Sequence, residues 1–507
     1  MENPLSALRL EQPFYQLGAD YFDEVQPLPS SQLRLRWRNP ELFERLGVSV
    51  AELRDAQLLD AFGHFKPLPN ALHGPLAQRY IGFQFRNFNP QLGDGRGFLW
   101  AQARALDGTL LDLGTKGSGT TPYSRGGDGR LTLKGGVREI IAAEFLHALG
   151  VKTSRALTLI EHEAKLWRGD EPSPTRASIL VRVGEAHIRF GTFERYFYLE
   201  RDPAQREARL RRLLEHVLST YYPHLVGLPL AEATLAFYGE LMQRVAIMTA
   251  GWVKAGFAHG VLNTDNMNIT GDSFDYGPWA FMEGYDPEFT AAYFDQTGLY
   301  AFEAQADAVY WNLAMLARPL GVLTAAEALE ERLQRFPELY REALRRVLLL
   351  RLGFEARGTA ACRTLAKRTL ELLRASGASY HGFFWAVREA SARAVSARVA
   401  GGRARLALPA SLFERAPQPV EAEKQLFLDA WEARLLEEEQ HLAPSVGERS
   451  AAELLAEGVH LRVCAHNPRL APYRSEVEKV WAPIVERDDW SPLYHWLEIL
   501  RHPCEVR

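Results

Sequence analysis

The chain has 507 residues, 47% hydrophobic, 24% charged and 11% aromatic, with a net charge of −4 at pH 7. That length exceeds one small core, and the balance excludes a disordered chain, a basic nucleic-acid binder and a polybasic membrane anchor. Three cysteines, Cys362, Cys464 and Cys504, lack CxxC spacing, which excludes a disulfide scaffold and a cysteine zinc site and points to a reducing compartment.

The first residues show no basic segment followed by an apolar one, and no run of ~18 apolar residues occurs, so neither a signal peptide nor a spanning helix is expected. The expected address is the cytoplasm.

Residues 1–75 mix short helical patterns with proline punctuation and read as a wrapping extension without chemistry of its own. From Tyr80 the tone changes. Phe98–Ala103 and Thr109–Leu113 read as two strands reversed at Asp107-Gly108. The second runs into the glycine-rich stretch Thr115-Lys116-Gly117-Ser118-Gly119, then Arg125-Gly126-Gly127-Asp128-Gly129-Arg130. Glycine lets backbone N–H groups approach phosphate oxygens.

Val137–Leu149 reads as an amphipathic helix with Val137, Ile140, Ile141, Phe145 and Ala148 on its apolar stripe. Glu144 falls on that stripe and Glu139 faces away from it. Strand patterns follow at Ala156–Glu161 and Ser178–Val183, then Ala186–Gly191. A mostly antiparallel sheet with one helix packed on it is expected. Beyond Glu200 the patterns are helical: Pro203–Tyr222, Leu230–Gly256, Tyr300–Ala317, Thr324–Leu352, Gly358–Ser376 and Val420–Gln440. Residues 400–470 are the least informative.

Between the helical segments lies His259–Phe281, which packs Asn263, Asp265, Asn266, Asn268, Asp272 and Asp275 among apolar residues. Hard cations such as Mg²⁺ take oxygen ligands from a few carboxylates or amides, with phosphate supplying the rest. Protein kinases place a catalytic His-Arg-Asp ahead of a metal-binding Asn, then Asp-Phe-Gly. Here His259 and Asn266 keep the His-to-Asn spacing, and Asp275-Tyr276-Gly277 stands for Asp-Phe-Gly. The base position is Val261, which accepts no proton, while Asp265 stands beside Asn266. The plain alternative is an Asx-rich turn whose side chains cap the backbone. Lys116 is the candidate phosphate-holding lysine, with Glu139 or Glu144 to position it. Arg96, Arg182 and Arg189 are candidate phosphate clamps, since guanidinium binds oxyanions bidentately. His259 reads as a structural histidine.

The expected class is α+β: a bilobal, protein-kinase-like fold. Residues 1–79 form an N-terminal extension, 80–200 a β-rich nucleotide-binding lobe, 201–380 a helical lobe with the metal and catalytic loop, and 381–507 a helical C-terminal extension. Three functions fit such a frame: nucleotidyl transfer, a true protein or small-molecule kinase, and an ATP-binding scaffold. Val261 counts against the kinase.

Several blocks resemble the selenoprotein O family, the YdiU-type proteins. They are Phe88–Arg96, Thr121–Arg125 with Gly127–Arg130, His187–Gly191, His259–Met267, Asp275–Pro278, Trp311-Asn312-Leu313 and Asn467-Pro468. The resemblance implies a pseudokinase fold that transfers AMP, from ATP bound in a flipped orientation, to hydroxyl side chains of proteins; uridylyl transfer belongs to the same enzyme class. It implies Asp265 as proton acceptor, Asn266 and Asp275 as ligands of Mg²⁺ or Mn²⁺, and Lys116 paired with Glu139. Gly93, Gly95, Arg96, Lys116, Asp128, Gly129, Arg182, Arg189 and Asp275 would line the nucleotide pocket. The expected partners are ATP and hydroxyl-bearing proteins, with neither nucleic acid nor membrane, and the chain is expected as a monomer. The chain departs from the family at Trp279-Ala280 and at Cys504, which precedes Glu505-Val506-Arg507, and residues 282–300 contain no cysteine to pair with Cys504. A redox switch of the family's kind is therefore not expected.

Overall fold

The computed structural model describes residues 3–69, 71, 74–403, 405–442 and 450–502. Cys504, with any redox role, lies outside them. Among the described residues no helix is long and apolar enough to cross a membrane.

The first half builds one large antiparallel sheet. Its strands are β1 (Arg9–Glu11), β2 (Phe22–Glu24), β3 (Leu33–Arg38), β4 (Leu76–Gln78), then, past a separate hairpin of β5 (Gly82–Gln84) and β6 (Asn87–Asn89), β7 (Leu99–Arg104), β8 (Leu110–Lys116), β9 (Leu131–Thr132), β10 (Arg155–Leu166) and β11 (Thr175–Gly184). The order is β2-β4-β7-β8-β11-β10-β3, with β1 added on β7 and β9 on β11. The β7–β8 turn forms where expected: Asp107 Oδ1 accepts the Thr109 N–H at 2.9 Å, an Asx turn that reverses the chain. β8 continues through Lys116, so the lysine ends a strand rather than sitting in the glycine-rich loop that follows.

Alternation assigns the two faces of the sheet. Leu111, Leu113, Ile179, Val181 and Val183 form one core with Phe43, Leu58 and Phe62. The last three come from α1 (Pro40–Arg45) and α2 (Asp55–Phe62), so the proline-rich N-terminal segment covers one face and supplies strands to the sheet itself. The other face takes α3 (Leu133–Ala148), through Leu133, Val137, Ile140 and Ile141 against Leu159 and Leu180. Thr132 starts α3 a turn earlier than the hydrophobic pattern does, because its Oγ1 caps the Gly135 N–H at 3.0 Å.

The second half is helical: α4 (Phe190–Leu199), α5 (Pro203–Tyr221), α6 (Leu230–Ala255), α7 (Gln305–Leu320), α8 (Ala326–Leu333), α9 (Phe336–Arg351), α10 (Ala360–Ser376), α11 (Tyr380–Val399), α12 (Glu421–Leu442), α13 (Ala451–His466), α14 (Arg474–Arg487) and α15 (Ser491–Arg501). The segment expected as one helix over Thr324–Leu352 is two. Pro337, in the first turn of α9, has no N–H to donate to a preceding helical turn, so α8 ends at Leu333. The proline sits where a helix start leaves donors unpaired anyway. Residues 400–470, least legible in sequence, supply Phe427, Trp431 and Val459 to a second core with α9, α10 and α11. α6 ends at Gly256 in left-handed geometry and passes into β12 (Phe257–His259), which pairs with β13 (Trp279–Phe281). These two strands fasten the ends of the His259–Phe281 loop. The architecture is therefore mixed α+β, with the loop set against the central strands β8 and β11 of a large antiparallel sheet.

Where α4 begins, the backbone passes very close to the chain entering β5. Ile81 N–H donates to the Gly191 carbonyl at 3.1 Å, and a Cβ on Gly191 would lie 1.9 Å from the Ile81 oxygen. Gly191→Ala is expected to destabilise the fold by about 1–3 kcal/mol through overpacking. Urea unfolding reads this as a lower midpoint at unchanged slope; an unaltered midpoint would contradict the close packing.

Candidate nucleotide-binding site

In the β8–β11 register Lys116 lies opposite Leu180 and Arg182 opposite Gly114, so both cations project from one face at neighbouring positions. Both reach Asp275. Lys116 Nζ lies 3.0 Å and Arg182 Nη1 3.1 Å from its Oδ1, and Arg189 Nη1 lies 2.9 Å from its Oδ2. Burial alone would raise the Asp275 carboxyl, but Lys116, Arg182 and Arg189 hold it well below the usual carboxylate range. Its φ of 60° is a left-handed backbone state that aspartate tolerates better than most residues.

Lys116 also pairs with Glu139 of α3, and both side chains are buried. Glu144 goes elsewhere: its Oε2 lies 2.6 Å from Arg155 Nη2, and its Oε1 receives the Asn39 amide at 3.3 Å. Each glutamate is buried against a basic partner from the sheet, Lys116 of β8 for Glu139 and Arg155 of β10 for Glu144, and α14 and α15 pack on a further face of α3. Lys134 reaches Glu478 at 2.7 Å there, and Phe145 meets Trp496 with ring centroids 6.2 Å apart.

Arg189 joins three acidic segments. Besides Asp275 it donates to the Asp265 carbonyl at 2.6 Å and approaches Asp94 Oδ1 at 3.6 Å. The rings of Tyr80 and Phe274 flank its guanidinium at 4.5 and 4.6 Å. Asp265 rides on a single 3-10 turn, Thr264–Asn266. Burial pushes its carboxyl up to about 6, opposed by Arg189 and reinforced by the charge of Asp275. Its Oδ1 is buried and has no hydrogen-bond partner.

A cavity of about 450 Å³, a size suited to a small molecule, gathers these groups. Gly93, Gly95, Arg96, Lys116, Asp128, Gly129, Arg182, Arg189, Asp265, Asn266 and Asp275 all line it, so every pocket residue expected from the sequence is brought together. Glu139 stands behind Lys116. Val261 lines the cavity too, so the position a kinase gives its base is occupied here by an aliphatic side chain. Sequence reasoning passed over Tyr80, Asp94, Arg125, Arg130 and Arg168, which also line it. Asp94 and the first two arginines sat inside motif blocks, where they could have been found. Arg168 carried no signal; it enters from the β10–β11 connection and pairs with Asp128 at 2.8 Å.

Further residues of those blocks buttress the loop. Asn312 donates to the Leu262 carbonyl at 3.0 Å, and His259 bonds the Phe274 carbonyl at 3.1 Å from outside the cavity, a structural histidine. His187 N–H, two residues before Arg189, donates to Asp112 Oδ2 at 2.7 Å, while Asp112 Oδ1 accepts from Gln102 at 2.7 Å.

The donor set suits a cation that arrives with phosphate. Among the described residues no three His, Cys, Asp or Glu side chains converge as a stand-alone metal site. Asp275 offers a carboxylate, and Asn266 spends its amide nitrogen on the Val261 carbonyl at 2.7 Å, leaving the oxygen to ligate. One carboxylate and one amide oxygen are what Mg²⁺ takes when nucleotide phosphates supply other positions.

Comparison with known proteins agrees with this geometry. The family described as protein adenylyltransferase SelO matches residues 4–501. The protein nucleotidyltransferase YdiU of Gloeobacter violaceus is 44% identical over 99% of this chain and 97% of its own length. The YdiU protein of Azotobacter vinelandii is 36% identical over 99% of this chain and 94% of its own.

Asp112 links the sheet to the segment that carries Arg189, and its buried carboxyl is pushed up to about 7. That lies above the unfolded value near 3.9, so the folded state holds the extra proton. The contribution is fully present below the unfolded value and is lost as pH rises through about 7. Asp112→Asn should flatten the dependence of the urea midpoint on pH between about 4 and 7, removing a slope worth on the order of 3 kcal/mol. An identical slope in the variant would exclude Asp112 as its source.

Proposed function

The chain belongs to the SelO family of protein adenylyltransferases and is a nucleotidyltransferase; from that premise we propose that it moves AMP from ATP to a serine, threonine or tyrosine hydroxyl of a protein. The frame proposed is bilobal and kinase-like: the sheet with α3 as one lobe, the helices from α4 onward as the other, and the cavity between them.

In this reading the acceptor oxygen attacks the α-phosphorus, the bond to the β-phosphate bridging oxygen breaks, and pyrophosphate leaves. Asp265 receives the hydroxyl proton; a buried carboxyl raised toward neutrality is a better base than an ordinary surface carboxylate. Lys116, Arg96, Arg182 and Arg189 hold the phosphates by charge-assisted hydrogen bonds, and Glu139 keeps Lys116 in place. Gly93, Gly95 and Gly129 let backbone approach the nucleotide, with Asp128 beside them. Asn266 and Asp275 would hold Mg²⁺ or Mn²⁺, which supplies charge neutralisation for the triphosphate when bound. The observation that carries the reading is the cavity wall at 261–275, where Val261 replaces a kinase base while Asp265, Asn266 and Asp275 line the same space.

Incubation with ATP labelled at the α- or the γ-phosphate, a divalent cation and acceptor protein tests it. Label is expected to stay on protein from the α position and not from the γ position; retention from γ alone would make the protein a kinase. Asp275→Ala should abolish nucleotide binding, whereas Asp265→Ala should retain binding and lose transfer by ~10²-fold or more. Equal loss of nucleotide affinity in both would overturn this division of roles.

A further inference from the structure

One buried carboxyl close to the site has no part in the scheme above. Glu194 lies on α4 and is fully buried. Its Oε2 accepts the Thr264 hydroxyl at 2.8 Å, and its Oε1 is buried without a hydrogen-bond partner. Burial pushes the carboxyl up to about 8; Thr264 opposes that, the charge of Asp265 adds to it, and Arg318 of α7 opposes it weakly. A carboxyl held in the core with one oxygen unsatisfied costs stability, and a well-packed leucine would avoid that cost. The place where the fold carries it is the turn that bears Asp265.

Thr264 is the residue through which Glu194 acts. Its hydroxyl donates to Glu194, which leaves the oxygen lone pairs to receive the Phe83 N–H at 2.9 Å. Asn263 makes a parallel contact, its Oδ1 accepting the Phe85 N–H at 3.0 Å and the Tyr300 hydroxyl at 2.7 Å. The β5–β6 hairpin is thus fastened to the turn by two adjacent side chains. It needs fastening, because Phe85 and Arg86 at its tip have φ of 49° and 62°, a turn geometry that favours Asn-Gly. The hairpin also bounds Asp265 directly: a Cβ on Gly82 would lie 2.7 Å from Asp265 Oδ1.

We propose that Glu194 is a positioning residue for the transfer step, orienting Thr264 so that the turn and the β5–β6 hairpin hold Asp265 in one place. This rests on Asp265 as the proton acceptor. Burial pushes Glu194 toward its uncharged form, which limits the negative charge it places beside that base. An orienting contact of this kind affects turnover rather than nucleotide affinity, since Lys116, Arg96, Arg182 and Arg189, which hold the phosphates, lie outside the Glu194–Thr264 contact.

The test is steady-state AMP transfer from α-labelled ATP, with nucleotide affinity measured separately by calorimetry. Glu194→Leu and Thr264→Val should each lower kcat by roughly 10- to 100-fold and leave KM and Kd for ATP within about twofold. Glu194→Gln, which keeps an oxygen for the Thr264 hydroxyl, should restore kcat to within about threefold of the parent. The double variant Glu194→Leu/Thr264→Val should fall no further than either single change, because both remove one contact. If Glu194→Leu fails to fold, Thr264→Val with Glu194→Gln still decides. Full kcat in Thr264→Val, additive losses in the double variant, or a loss of ATP affinity matching the loss of kcat would overturn the proposal. A parent protein that transfers no α-label, or an Asp265→Asn variant that transfers at the parent rate, would instead overturn the reading on which it rests.

Discussion

Three cations on one carboxylate hold this site together. Asp275 draws Lys116 from β8, Arg182 from β11 and Arg189 from the segment entering α4, and no two of these come from one element. Three positive groups so close would repel one another across a low-dielectric interior unless a buried anion lay between them. Asp275 is that anion, and its cost of burial is met by the same three partners. When phosphates enter such a cluster, they meet donors already gathered and desolvated, so little of their binding energy is spent on rearranging the protein.

The positive cluster is itself set by packing some distance away. Lys116 has two anionic partners, and the second, Glu139, is on α3. α3 is fixed to the sheet by an apolar face and to α1 by Glu144, Asn39 and Arg155, and it is roofed by α14 and α15. A tie of Arg176 to Glu161 and Asp488, with contacts of 2.6 and 2.7 Å, joins that roof to β10 and β11. The chemistry-bearing residues thus lie between two supports, one from the start of the chain and one from its far end.

The sequence was legible where local chemistry decides the outcome. The Asp107-Gly108 hairpin, the long helices α5 and α6 and the oxygen-rich loop follow from turn residues and apolar spacing alone. So does the assembly of Lys116, Asp265, Asn266 and Asp275, once their order had suggested a kinase-type site. What stayed illegible depended on distant partners. Glu139 looks solvated by periodicity and is buried, because its partner Lys116 comes from another element, the end of β8, and pairs in turn with Asp275. Arg168 has no motif about it and reaches the cavity only through the length of the β10–β11 connection. α4 begins where an extended segment bonds the 267–269 backbone, so strand-like residues lead straight into a helix.

The roof on α3 also sets an order of events. Lys134 and its partner Glu478 are 344 residues apart, and Lys116 lies 159 residues from Asp275. As the chain leaves the ribosome, the sheet and α3 emerge long before the roof exists. During that interval the face of α3 that carries Lys134 meets water, and Lys116 lacks Asp275, its later anionic partner. The three cations therefore gain the carboxylate that gathers them only after the loop bearing Asp275 has been made, and a growing chain carries this centre unarmed.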